Sequence, residues 1–177
     1  MKERRKLVAK FGIVLGVAVT ILFASSTALS QSQQPAVALT ITGSVEKPLS
    51  LSMADLRAMP HQTVKAYNEH EHQTHSYEGV PLEALLREAG VPQGEKLRGA
   101  AMTTYIVAEA TDGYRVIFAL PELDPSFQDS GVLVVYAADG EPLGPKDGPL
   151  RLVAPHDKRP ARWIRMLTSI RVVTIPR

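Results

Sequence analysis

The chain has 177 residues, with 20 Lys and Arg against 18 Asp and Glu, and it contains no cysteine. Disulfides, thiolate metal ligation and cysteine nucleophiles are thereby excluded, so stability must come from one packed core, which a chain of this length can build. The first 30 residues hold five of the bases and one Glu, leaving 15 bases against 17 acids and a formal charge of −2, a balance that excludes nucleic acid as the expected partner.

In chain order, the basic segment MKERRKLVAK leads into 14 apolar or small residues, 11–24, and then into SSTALSQSQQP. This is the basic, apolar and small-residue order of a secretory signal peptide, and its apolar run is shorter than the ~20 residues that span a bilayer. Cleavage is expected after Ser30, with an uncleaved anchor as the competing reading. The expected organisation is a signal peptide over 1–30, a polar tether over 31–36 and one domain over 37–177. The domain would be periplasmic or secreted, with no stable membrane span after cleavage.

AVALTITGSV, residues 36–45, alternates apolar and polar positions as a half-buried strand does. In LSLSMADLRAMP, Ser52 stands three residues before Asp55, an N-cap signature that opens a short helix closed by Pro60. HQTVKAY reads as a strand, and YNEHEHQTHSYEG reads as a histidine-rich loop. GVPLEALLREAGV predicts a helix with Leu82, Leu85 and Leu86 on one face and Gly90 as its stop. MTTYIVAEATDGYRVIFAL predicts two strands joined at Asp112-Gly113, since that dipeptide accepts the positive φ angles of a tight hairpin. VLVVYAA, PLRLVAP and LTSIRVVTI add three more strands. With six or seven strands, two or three short helices and hairpins dominating, the fold class is α+β with mixed, largely antiparallel sheets.

Four segments in this order, LTITGSVEKPLSLSMADLRAMP, YEGVPLEALLREAGV, TDGYRVIFALPELDP with the later DGEPL, and GPLRLVAPHDKRPARWIRMLTSIRV, span about residues 39–173. Together they resemble the oxidoreductase molybdopterin-binding domain family, the fold of sulfite oxidase, in its short stand-alone exported bacterial form. The resemblance implies that fold, a molybdopterin cofactor and oxidoreductase chemistry. In catalytic members a cysteine between an early strand and the GVPL helix ligates the molybdenum. Here the matching segment, residues 66–79, holds His70, His72 and His75 and no thiol. Imidazole is a harder, neutral ligand than thiolate, so the fold carries over more readily than the oxidase chemistry.

Those three histidines form the candidate metal site, for Zn or Cu, with Glu69, Glu71 and Glu78 as further ligands or as acceptors for the second ring nitrogens. The competing reading is a solvated polar loop. Downstream, PLRLVAPHDKRPARWIR crowds Arg151, Lys158, Arg159, Arg162 and Arg165 beside His156. Guanidinium forks and ammonium groups bind phosphate or carboxylate. The resemblance implies cofactor or anion binding by Arg151, His156, Lys158, Arg159 and Arg162, and surface pairing with Asp157 is the alternative. Trp163 is expected in the core, and Tyr114 packs in its hairpin or borders the cleft.

Three functions follow as expectations. The first is a domain that binds a small anionic ligand, a pterin or a periplasmic redox partner without molybdenum-thiolate chemistry. The others are an active molybdopterin-dependent oxidoreductase with a non-cysteine ligand, and a periplasmic metal-binding protein built on the histidine loop.

Overall fold

A computed structural model describes residues 36–176. The expected signal peptide and the tether up to residue 35 lie outside the described residues. The chain forms β1 (Val37–Gly43), β2 (Leu49–Ser52), α1 (Met53–Ala58), β3 (Gln62–Asn68), β4 (Gln73–Pro81) and α2 (Leu82–Glu88). It continues through β5 (Thr104–Ala110), β6 (Arg115–Ala119), α3 (Leu120–Leu123), β7 (Leu133–Ala138), β8 (Glu141–Pro142), β9 (Arg151–Val153) and β10 (Leu167–Thr174). This is an α+β fold of two sheets with three short helices.

Local chemistry sets the elements. Ser52 caps α1 in a reciprocal box: its hydroxyl accepts from the Asp55 amide, and the Asp55 carboxylate accepts from the Ser52 amide at 2.8 Å. Leu82, Leu85 and Leu86 are all fully buried on α2, which begins directly after Pro81. Asp139 and Gly140 both take positive φ, 53° and 85°, in the two-residue turn between β7 and β8.

The first sheet runs β2-β1-β10-β5-β6, with β1 and β10 parallel and every other pair antiparallel. The second runs β3-β4-β7-β8, and β9 also pairs with β7. β7 is buried along nearly its whole length, which explains its unbroken apolar sequence LVVYAA. Residues from both sheets and all three helices, including Ile41, Leu56, Leu86, Phe118, Leu133 and Ile170, share one hydrophobic core.

Three strands were not expected from the sequence. β2 and β8 are short, and β4 runs through most of the presumed loop, leaving only residues 69–72 as the turn. β4 escapes a polarity-based reading because its inward positions are His75, Tyr77 and Gly79, between the more exposed Thr74, Ser76 and Glu78. No helix among the described residues is long and apolar enough to cross a membrane.

Candidate functional site: a cleft between the two sheets' turns

Two hairpin turns, one from each sheet, face each other across a cleft of about 530 Å³. The β3–β4 turn supplies Asn68, His70 and Glu71, and the β5–β6 turn supplies Asp112 and Tyr114. The floor and far wall come from Lys146, Asp147, Arg151, Pro160, Trp163, Arg165 and Met166. The volume falls in the range of small-molecule and cofactor pockets.

Arg151 is the central cation. It is only 5% exposed, and its guanidinium lies 5.7 Å from the Tyr77 ring centroid and 5.6 Å from that of Trp163. Such desolvated cation–π contacts favour the charged group where it sits. Its one ionic partner among the described residues is Asp147, at 3.3 Å, and its buried Nε–H has no acceptor. A buried donor left without a partner is costly, so this guanidinium retains unused donor capacity. Burial pushes the Tyr77 phenol above its usual value, and the Arg151 charge opposes that rise.

At the end of β3, Asn68 is 1% exposed, and its side-chain oxygen accepts from the His70 amide at 3.1 Å, tightening the turn. Tyr114 is 50% exposed, and its hydroxyl donates to the Ala161 carbonyl at 2.7 Å, tying the β5–β6 turn to the short 3₁₀ turn at Pro160–Arg162. Trp163 belongs to the core, as expected, and also forms part of the cleft wall; its indole N–H donates to the Ala154 carbonyl at 2.8 Å.

The sequence-predicted site residues separate. His70, His72 and His75 do not converge, and among the described residues no group of three His, Asp or Glu side chains is placed to hold a metal ion. His70 borders the cleft, whereas His72, in the left-handed region at φ 52°, approaches the Tyr67 hydroxyl at 3.5 Å. His75 is 16% exposed on β4, with Nδ1 at 2.6 Å from Asp139 and Nε2 at 2.8 Å from Glu71. Asp139 hydrogen-bonds Nδ1, and Nε2 is buried against Glu71 without a well-formed hydrogen bond, so neither ring nitrogen is presented to a metal. The residues belong to a hairpin in which neighbouring side chains point to opposite faces.

Of the predicted cations, Arg151 lines the cleft, and Lys158 and Arg159 are exposed on the loop before Pro160 without reaching it. His156 and Arg162 border a separate hollow of about 250 Å³. There Arg162 pairs with Asp157 at 2.6 Å and Glu122 at 3.1 Å, and it lies 4.2 Å from the Phe118 centroid. The 3₁₀ turn reverses the chain between Arg159 and Trp163, so residues adjacent in sequence serve opposite sides. Asn68, Lys146 and Asp147 escaped the sequence reading. A buried-type polar residue ending a strand was the available signal for Asn68, and a Lys-Asp pair in a Gly-Pro-rich loop was the signal for the other two.

His75 makes stability depend on pH. The Asp139 hydrogen bond raises its pKa above the ordinary imidazole value, against desolvation, and the same contact holds Asp139 below the usual carboxylate range. The imidazolium's contribution is complete below an unfolded pKa of about 6.5 and fades as pH rises through the higher folded value. The Asp139 contribution is present above its unfolded pKa and is lost only in acid, as pH falls through its lowered folded value. The stability gap between the wild type and His75→Gln in urea melts should therefore be wide at pH 6 and narrow at pH 9. A gap that widened toward pH 9 would contradict an imidazolium held by Asp139.

The family model described as "Oxidoreductase molybdopterin binding domain" matches residues 27–177. The chain belongs to this family. Among solved structures the domain is similar to the sulfane dehydrogenase SoxCD from Paracoccus pantotrophus, at 25% identity and a TM-score of 0.59. That match covers 76% of this chain and 37% of the other, so the domain corresponds to little more than a third of the larger protein. By sequence, no curated protein matches the chain.

Membership implies molybdopterin, and the cleft meets that cofactor only in part. Arg151, Lys146 and Arg165 line the cleft and suit the phosphate and polar edges of a pterin, and Tyr114 and Pro160 offer surfaces for its flat ring. The metal half does not fit in the family's manner. The residues that the histidine segment turns toward the cleft are an amide, an imidazole and a carboxylate, Asn68, His70 and Glu71, and the chain supplies no thiolate. Soft thiolate and hard oxygen or nitrogen donors select different metals and geometries.

Proposed function

We propose that this protein is an exported binding domain of the molybdopterin-binding oxidoreductase family, taking a flat, anionic ligand of the pterin type in the cleft without thiolate-held molybdenum. One observation carries the reading: Arg151, 5% exposed in the cleft wall, has one long ionic contact and one N–H without an acceptor. A guanidinium buried in this state is a poor structural element unless an acceptor completes it. Export rests on the basic and apolar N-terminal segment, whose pattern matches a signal peptide.

Pterin-6-carboxylate is a suitable probe because its ring is fluorescent and it carries one carboxylate. Its fluorescence should titrate with the purified protein, and Arg151→Met should raise Kd roughly 30-fold or more by removing the buried charge while keeping an apolar side chain of comparable length. Elemental analysis of protein purified untagged from its native compartment should find molybdenum well below one atom per chain. Near-stoichiometric molybdenum would overturn the proposal in favour of an active centre with a non-cysteine ligand. An unchanged Kd in Arg151→Met would remove the cleft from consideration.

A further inference from the structure

Asp147 occupies the point where the two arginines of the cleft come closest. Its Oδ1 lies 3.3 Å from Arg151 Nη1 and 4.0 Å from Arg165 Nε, and neither arginine has another carboxylate partner among the described residues. Both separations exceed the 2.7–2.9 Å of a well-formed charge-assisted hydrogen bond. The carboxylate thus faces two cations while making one long hydrogen bond, to Arg151, and none to Arg165. Its side chain is 29% exposed, so water reaches it.

The backbone beneath this carboxylate is held firmly. The Asp147 amide donates to the Gly144 carbonyl at 3.0 Å, Gly148 donates to the same carbonyl at 2.8 Å, and the Asp147 carbonyl accepts from the Met166 amide at 2.9 Å. Turning the Asp147 side chain out of the cleft breaks none of these bonds. Lys146, the neighbouring residue, also borders the cleft and has no ionic partner among the described residues. A ligand anion entering between Arg151 and Arg165 therefore meets Asp147 in its place, with Lys146 also on the cleft lining and the carboxylates of Glu71 and Asp112 at the two turns.

We infer that Asp147 is a built-in stand-in for the ligand's anionic group: it holds the arginine pair when the cleft is free, and a carboxylate or phosphate displaces it on binding. This rests on the cleft being the ligand site. If the side chain stayed, two like charges would share the arginines at close range, which is unfavourable in a partly desolvated site. The residue therefore sets a threshold that selects ligands able to bind the arginines better than a loosely held carboxylate does. It also orients Arg151 in the free protein.

The test compares Asp147→Asn with the wild type, using pterin-6-carboxylate and unsubstituted pterin as probes. The isosteric amide removes the competing charge, so the carboxylate probe should bind on the order of tenfold more tightly, a change of 1.4 kcal/mol. The affinity for unsubstituted pterin should not change. If the wild type binds pterin-6-carboxylate and the variant binds it equally or more weakly, displacement is wrong and the cleft reading stands. Equal tightening for both probes would also overturn it, because it would indicate a loosened cleft. Binding of neither probe by either protein would overturn the inference together with the proposed function. A direct readout comes from the wild-type chain with ¹⁵N-labelled arginine: the Arg165 Nε–H resonance should shift with pterin-6-carboxylate and stay fixed with unsubstituted pterin. A resonance that ignores the bound carboxylate would contradict the exchange.

Discussion

Trp163→Ala should destabilise the domain by about 3–5 kcal/mol, the usual cost of deleting a buried tryptophan, and lower its Tm by on the order of 10 °C. The indole is 6% exposed, meets the Tyr77 ring edge-on at 5.7 Å and 88°, and supports the Arg151 guanidinium from one side. Its N–H also closes the loop after β9 through the Ala154 carbonyl. Alanine would leave a cavity, remove one of the two donors to that carbonyl, which keeps the Asp157 amide at 3.1 Å, and strip one aromatic face from a buried charge, three losses that compound because they share one neighbourhood. Trp163→Phe keeps the ring face and loses the hydrogen bond, so urea denaturation should place it between wild type and alanine. If alanine cost less than about 1 kcal/mol, Trp163 would be a lid over the cleft and no part of the core.

The second large effect belongs to a residue with no side chain. Gly79 sits at the irregularity where β4 changes register against β7. A Cβ there would lie 2.2 Å from the Val134 carbonyl oxygen and 2.6 Å from the Val135 Cα. Both are backbone atoms of a buried central strand, so no rotamer change relieves the clash and the two strands must part. Gly79→Ala should cost about 3 kcal/mol or more, the upper end of overpacking effects. Because β4 also carries the cleft turn, binding should weaken with it. Gly144→Ala is the control: open space surrounds that position, and its stability should stay within about 0.5 kcal/mol of wild type. Equal melting curves for the two variants would mean that β4 and β7 do not approach this closely.

Features set by short-range chemistry were legible in the sequence. The Ser52 and Asp55 pair announced its helix, Asp112-Gly113 its hairpin, and the three leucines of α2 their buried face, because each depends on residues within four positions. The four-segment family resemblance carried the rest of the architecture. Of the side chains singled out from the sequence, His70, Tyr114, Arg151, Trp163 and Arg165 line the cleft. His75 looked like a ligand because sequence shows three imidazoles close together and conceals strand alternation, which turns His75 toward Asp139, a residue 64 positions away. Arg162 looked like an anion binder because its partner Glu122 lies 40 positions upstream. The meeting of Asp147 with Arg165 depends on how the loop before β9 folds against the chain entering β10, and no local pattern encodes that approach.

The parallel contact between β1 and β10 also constrains how the molecule can form. Thr40 pairs with Ser169 and Gly43 with Val172, so the middle of the first sheet joins segments almost 130 residues apart in the chain. Loop closure over such a distance is entropically expensive and slow compared with forming hairpins. During synthesis, β1–β2 and β5–β6 can arise early as separate ribbons, yet they cannot become one sheet until the last strand arrives between them. A nascent chain that stops before Leu167 would present the free edges of β1 and β5, with Ile41 and Ile106 beside them, to any neighbouring strand. Completion of the C-terminal strand is thus the event that converts an aggregation-prone intermediate into a closed domain.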